Sequence, residues 1–134
     1  DPKVAFVSHS TFGQPLTSRT KHIRKAVDIL KEKKVDFEFD GDMQPDVALN
    51  PEYEELYPFS KIVGKANILI MPGQHSAAIS YKMMKTFGDT KVIGPLLIGL
   101  ELPIEIAPLR SSTSELINLA SIAAYSADVI DYKK

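Results

Sequence analysis

The sequence predicts an α/β fold built on a mainly parallel sheet, and three observations carry that expectation. Short apolar runs alternate along the chain with segments of helical periodicity, the pattern of βαβ units with helices on both sheet faces. Four unusually polar loops follow the apolar runs, at the strand ends where ligands of open parallel sheets gather. An apolar fraction of 44% over 134 residues, with 25% charged, supplies the core of one domain rather than two.

Val4-Ala5-Phe6-Val7 reads as a buried strand feeding the polar loop 8–13. Ser18 is the expected N-cap of an amphipathic helix that ends near Lys34 and carries Ile23, Ala26, Val27 and Leu30 on its apolar stripe. Its outer face holds Arg19, Lys21, Arg24, Lys25, Lys31 and Lys33, broken by Asp28 and Glu32, and reads as a solvated helix surface. Phe37-Glu38-Phe39 alternates like a second strand, after which Asp40-Gly41-Asp42 is expected to turn the chain, Gly41 tolerating positive φ. A short helix follows Pro45, and one more helical turn over 51–56 stops at Pro58.

Residues 66–71 form an apolar strand. The next helix places Ala77, Ala78, Tyr81, Met84 and Phe87 on an inward stripe and closes at Gly88. The run 92–100 contains Gly94, Pro95 and Gly99 and is expected to be a strand followed by a tight turn or short helix. Residues 104–107 read as a last strand, and Ser111-Ser112-Thr113 as the cap of a helix over about 114–128 that buries Leu116, Leu119, Ala120, Ala123 and Ala124.

Charge excludes some functions. Sixteen basic and seventeen acidic residues give a net charge of −1, which offers no field for nucleic acid or an anionic membrane. The chain has no cysteine, so disulfides and thiolate chemistry are absent and a reducing cytoplasm is the expected compartment. No apolar run approaches the ~20 residues of a membrane span. A strand pattern that begins at Lys3 without an initiator Met predicts a piece of a longer chain.

Among the strand-end loops, 108–113 is the most suggestive. Arg110, Ser111, Ser112 and Thr113 sit before a helix N-terminus, a combination that suits either an anion or simple capping. Ser8, Ser10 and Thr11 line the first loop. His9 reads as a surface residue, as does His75 at the next helix start. Asp40, Asp42 and Asp46 have carboxylate spacing that fits a hard cation or turn formation. No P-loop, dinucleotide fingerprint or nucleophile elbow is present.

The run Asp40-Gly41-Asp42-Met43-Gln44-Pro45-Asp46-Val47-Ala48-Leu49-Asn50 resembles the D-G-[DE]-M-Q-x-D-x-A-L-N block of the phosphotransacetylase family, in particular its malic-enzyme-fused branch. Tyr57-Pro58-Phe59-Ser60-Lys61, Gly64-Lys65-Ala66-Asn67-Ile68-Leu69-Ile70-Met71-Pro72, Ile93-Gly94-Pro95-Leu96-Leu97-Ile98-Gly99-Leu100 and Glu115-Leu116-Ile117-Asn118-Leu119-Ala120 resemble further family blocks in the family's order. Ser8-His9-Ser10-Thr11-Phe12-Gly13 is similar to the S-[YH]-S-x-F-G of the fused branch.

The resemblance implies part of a phosphotransacetylase-like, isocitrate/isopropylmalate dehydrogenase-like three-layer sandwich. Residues 1–103 would lie mostly in one lobe, and 104–134 would return to the other. It also implies a regulatory, oligomerising domain that senses acetyl-CoA, with oxidative decarboxylation of malate carried by an upstream malic-enzyme domain holding NADP and a divalent Mg or Mn ion. Ligand contacts would fall to Arg110, Ser111, Ser112, Thr113, Glu115, Ser8, Ser10 and Thr11, with no catalytic residue and no cofactor in this segment. The alternative is acyl transfer between CoA and phosphate, which in the family uses a Ser-Arg-Gly turn and a following Asp. Pro108 and Leu109 stand where that Ser and Arg would be, Arg110 is one residue away, Glu115 replaces the Asp, and Ala78 replaces a family asparagine.

Overall fold

β1 (Lys3–Val7) is the middle strand of a parallel three-stranded sheet, flanked by β2 (Glu38–Met43) and β3 (Ile68–Ile70) in the order β2-β1-β3. The computed structural model describes residues 1–88 and 91–131. Residues 132–134 of the expected 104–134 segment lie outside them. The chain divides into two units, Asp1–Ser80 and Tyr81–Lys134.

The first unit holds the sheet. Ala5 and Val7 point to one face and join Met43, Ala48, Ile62 and Ala66 in the core, with Phe12, Val47, Leu69 and Met71 packed against them. Val4 and Phe6 face the other way, as strand alternation requires. α1 (Ser18–Glu32) packs on β2 and buries Thr20 and Val27, whereas Ala26 of the expected stripe is exposed. The helix is capped by Thr17 rather than Ser18. Thr20 N–H donates to Thr17 Oγ1 at 3.3 Å and Thr17 N–H donates to Thr20 Oγ1 at 2.8 Å, a reciprocal box with threonine in place of the usual Glu or Gln. α2 (Pro45–Leu49) and a 3-10 turn (Pro51–Glu55) then cross above the core, as the prolines predict.

The largest departure from the sequence reading lies in β2. Asp40-Gly41-Asp42 does not turn the chain but continues the strand to Met43. Gly41 sits opposite Phe6, and the register shifts immediately after that pair. At Gly41, with φ +153°, a Cβ would lie 2.6 Å from the Phe6 carbonyl oxygen and 2.8 Å from its Cβ. Glycine is here for close approach between strands, not for a turn. Asp40 then fastens the following loop, its carboxylate accepting from Gly41 N–H at 2.9 Å and Lys61 N–H at 2.8 Å. The edge strand β3 is shorter than the apolar run 66–71 suggested. Asn67 precedes it, accepting from Lys3 N–H at 2.8 Å and donating to the Asp1 carbonyl at 2.9 Å.

α3 (Gln74–Phe87) begins in the first unit and continues into the second, where α4 (Thr113–Asp131) is the other helix. The inward stripe expected on α3 is not buried: Met84 and Phe87 are exposed, Phe87 by 81%. Of the five residues expected to bury along α4 only Leu119 does, while Leu116 is 47% exposed. The expected strands at 92–100 and 104–107 are irregular instead. A strand needs a hydrogen-bonding neighbour, and among the described residues neither run has one; Gly94, Pro95 and Gly99 weaken the first further.

Because a methyl group at Gly41 would lie 2.6 Å from the Phe6 carbonyl oxygen, backbone of the paired strand rather than a flexible side chain, Gly41→Ala is expected to destabilise the chain by about 1–3 kcal/mol. Urea denaturation checks this, read as a lower midpoint at unchanged slope.

Candidate functional site

Ser8, Ser10 and Thr11 come together at the carboxyl end of the central strand, and all three are buried. Their loop is held against the end of β2 by main-chain bonds from Ser8 N–H to the Met43 carbonyl at 2.8 Å and from Phe12 N–H to the Asp42 carbonyl at 2.6 Å. Gln44 adds two more, its N–H reaching Thr11 Oγ1 at 3.2 Å and its side-chain amide donating to the His9 carbonyl at 2.9 Å. Phe12 takes a positive φ of 48° and stacks edge-on against Phe59 with ring centroids 4.8 Å apart, Tyr57 tilting against it at 5.5 Å.

A buried carboxylate completes this cluster. Ser10 Oγ donates to Asp42 Oδ2, and Ser8 Oγ lies 3.3 Å from Ser10 Oγ. Since the Ser10 proton is engaged by the carboxylate, Ser8 is the donor of that second bond, giving a directed relay from Ser8 through Ser10 to Asp42. Asp42 is fully buried, yet its Oδ1 has no hydrogen-bond partner among the described residues. Asp42 is the site residue that sequence reasoning missed. Read as a turn or as one of three cation-spaced carboxylates, it is in fact a strand residue, and the signal was the hydroxyl-rich S-x-S-T loop one crossover away, which needs a buried acceptor.

The remaining expected residues belong to the second unit. Ser111 closes a turn on the Pro108 carbonyl through its N–H at 3.0 Å and its hydroxyl at 2.8 Å. Ser112 and Glu115 form a capping box: Glu115 N–H donates to Ser112 Oγ at 3.3 Å, and Ser112 N–H donates back to Glu115 Oε2 at 2.8 Å. Lys85 Nζ donates to the other oxygen, Oε1, at 2.7 Å. Both oxygens of Glu115 are therefore engaged. The Lys85 ammonium, then the Ser112 amide and hydroxyl, pull the Glu115 carboxyl from its ordinary 4.5 down to about 2. Arg110 and Thr113 are exposed.

The family model described as Phosphate acetyl/butaryl transferase matches residues 1–124. The chain belongs to this phosphate acetyl/butaryl transferase family. It is 51% identical over 126 residues to the NADP-dependent malic enzyme of Rhizobium meliloti (strain 1021), covering 94% of this chain and 17% of that protein. To the phosphate acetyltransferase of Bacillus subtilis (strain 168) it is 34% identical over 128 residues, covering 95% of this chain and 40% of that protein. A solved phosphotransacetylase from Streptococcus pyogenes superposes with a TM-score of 0.87 at 34% identity, over 95% of this chain and 39% of that one. The chain thus spans a minority of each relative's length, and its fold class and family are those the sequence motifs pointed to.

The engagement of Glu115 has a measurable signature. Because the folded carboxyl titrates below the unfolded one, the unfolded chain binds more protons between about 4.5 and about 2. The contribution of Glu115 to stability is complete above that window and is lost as pH falls through it. A carboxyl-carbon NMR titration is expected to give a midpoint near 2 for Glu115, moving up toward 4.5 in Lys85→Ala; an unmoved midpoint in the variant would mean that the ion pair does not hold the group.

Proposed function

We propose that this chain is the regulatory, oligomerising phosphotransacetylase-like part of an NADP-dependent malic enzyme, and that it senses acetyl-CoA. The observation that carries the reading is the state of the turn before α4. The family's Ser and Arg positions hold Pro108 and Leu109, Leu109 lies fully in solvent, and Glu115, at the family's acid position, is closed by Ser112 and Lys85. Acyl transfer to phosphate needs a cationic oxyanion partner and a base for the thiol of CoA, and this turn supplies neither in that arrangement. The higher identity to a malic enzyme than to the acetyltransferases supports the same assignment.

In this reading malate oxidation, NADP and a divalent Mg or Mn ion belong to an upstream malic-enzyme segment. Among the described residues no three His, Asp or Glu side chains gather to hold a metal, and no helix is long and apolar enough to cross a membrane. The effector's phosphates would meet Arg110 beside the amides that open α4, while Ser111 and Ser112 keep the turn in shape. Self-association would cover apolar side chains such as Met83, Phe87 and Ile98, and light scattering at high micromolar concentration is expected to find an oligomer.

The second reading, acyl transfer between CoA and phosphate, is favoured by the 34% identity to a phosphate acetyltransferase across nearly all of this chain. Assaying the complete protein for acetyl phosphate formation separates the two. We expect no robust turnover, and acetyl-CoA inhibition of malate oxidation weakened roughly ten- to a hundredfold in Arg110→Ala with effector-free turnover unchanged. Brisk acetyl phosphate synthesis overturns the proposal.

A further inference from the structure

We propose that the face of the first unit around Leu56, Tyr57 and Phe59 is a two-fold interface with a second copy of this chain, its cationic side lying over the acidic side of the copy. This rests on the oligomerising part of the reading above and deepens it, since the surface is separate from the apolar side chains of the second unit and is matched by charge as well as by burial.

Charge is segregated along this part of the sequence. Arg19 to Lys34 carries seven cations against Asp28 and Glu32, and no Lys or Arg then occurs before Lys61, over a stretch holding eight acids. Asp40 and Asp42 are buried, but Glu52, Glu54 and Glu55 are exposed on the 3-10 turn, which buries none of its own residues. The same segment leaves large apolar side chains in solvent, Leu56 by 66% and Phe59 by 63%, with Leu49 and Val63 exposed on either side of them in sequence. Such a concentration of exposed apolar groups marks a contact surface, whereas single exposed ones do not.

Phe12 lies between the two signs. Its ring meets Phe59 at 4.8 Å and Tyr57 at 5.5 Å between centroids. On one side it borders a cleft of about 340 Å³ between α1 and β2, together with Arg24, Lys31, Phe59 and Lys61. On the other it borders a smaller hollow with Tyr53, Glu54 and Tyr57. Two carboxylates also line the first cleft, but both are engaged. Asp28 holds Lys31 at 2.8 Å, and the oxygens of Asp40 accept the main-chain amides of Gly41 and Lys61. Arg24 donates to the Phe12 carbonyl at 3.3 Å, and neither Arg24 nor Lys61 forms an ion pair among the described residues. Lys31, and after it Arg24 and Lys61, hold the Asp28 carboxyl below its ordinary range, so the three cations act on one space. Glu52, Glu54 and Glu55 likewise have no ion pair among the described residues.

Opposite signs on opposite sides of an apolar centre are self-complementary, because a half-turn lays each cationic side on an acidic one. A partner of one sign, such as an acidic peptide, would satisfy one side and meet like charge on the other. An uncharged segment of a longer chain would bury both sides without counter-ions. A second copy satisfies both.

The test is sedimentation velocity of the complete protein that carries this chain, with two charge reversals. Arg24→Glu with Lys61→Glu makes both sides of the face acidic, and Glu52→Lys with Glu55→Lys makes both cationic. Each reversed protein alone is expected to assemble about tenfold more weakly than wild type. An equimolar mixture of the two is expected to regain wild-type assembly, a rescue that misfolded variants would not give. Lys33→Glu, which reverses an exposed cation half a turn of α1 away from Arg24, is expected to change assembly by less than about twofold. Reversed proteins that assemble like wild type, the result expected if another segment of the polypeptide covers this face, overturn the proposal, as does a mixture no better assembled than its components. Either result leaves the oligomerising reading standing, whereas a monomeric wild type overturns both.

Discussion

The close approach of Gly41 to Phe6 is the constraint around which the first unit is organised. Because β1 is the middle strand, both neighbours take their register from it, and a one-residue error would exchange the faces of Ala5 and Val7 with those of Val4 and Phe6. The shift after the Phe6–Gly41 pair lets β2 end with Met43 in the core and Asp42 beneath the 8–13 loop. From that placement follow the Ser8–Ser10–Asp42 relay and the two main-chain bonds that fasten the loop to β2. The polar cluster is thus a product of strand register as much as of its own side chains.

Regular elements of the first unit were legible in the amino-acid order because their signals are local. The apolar run 4–7, the helix after residue 17 and the prolines at 45 and 51 each act through nearest-neighbour physics. Gly41 was legible as a residue with special backbone needs but not as a strand residue, since a glycine required by a neighbouring strand looks the same in sequence as one required by a turn. In the second unit apolar patterning promises more regular structure than the chain forms. Apolar runs at 92–100 and 104–107 have the composition of strands, yet strand formation depends on a partner that no periodicity reveals.

The candidate site was legible in part. Ser8, Ser10 and Thr11 were recognised from their place after a strand and are brought together; Ser112 and Glu115 were recognised and are joined as a helix cap. Asp42 carries the signature of a turn in the amino-acid order yet is a strand residue beneath the 8–13 loop. Loops announce themselves by polarity, whereas a strand carboxylate acquires meaning only when the loop packed over it is known.

The capping box before α4 also constrains how this chain can change. Ser112, Glu115 and Lys85 are joined by hydrogen bonds sharing one carboxylate, so substitutions at these positions are coupled rather than additive. Shortening Glu115 to Asp, the residue that the family resemblance implies there, would withdraw the carboxylate from Lys85 and Ser112 before any new contact existed to replace them. Placing Ser and Arg at 108 and 109 would leave that carboxylate still engaged. Each step toward the transferase pattern taken alone is therefore a loss or no gain, and the pattern is regained only when several positions change at once: a helix start that has become an epistatic barrier.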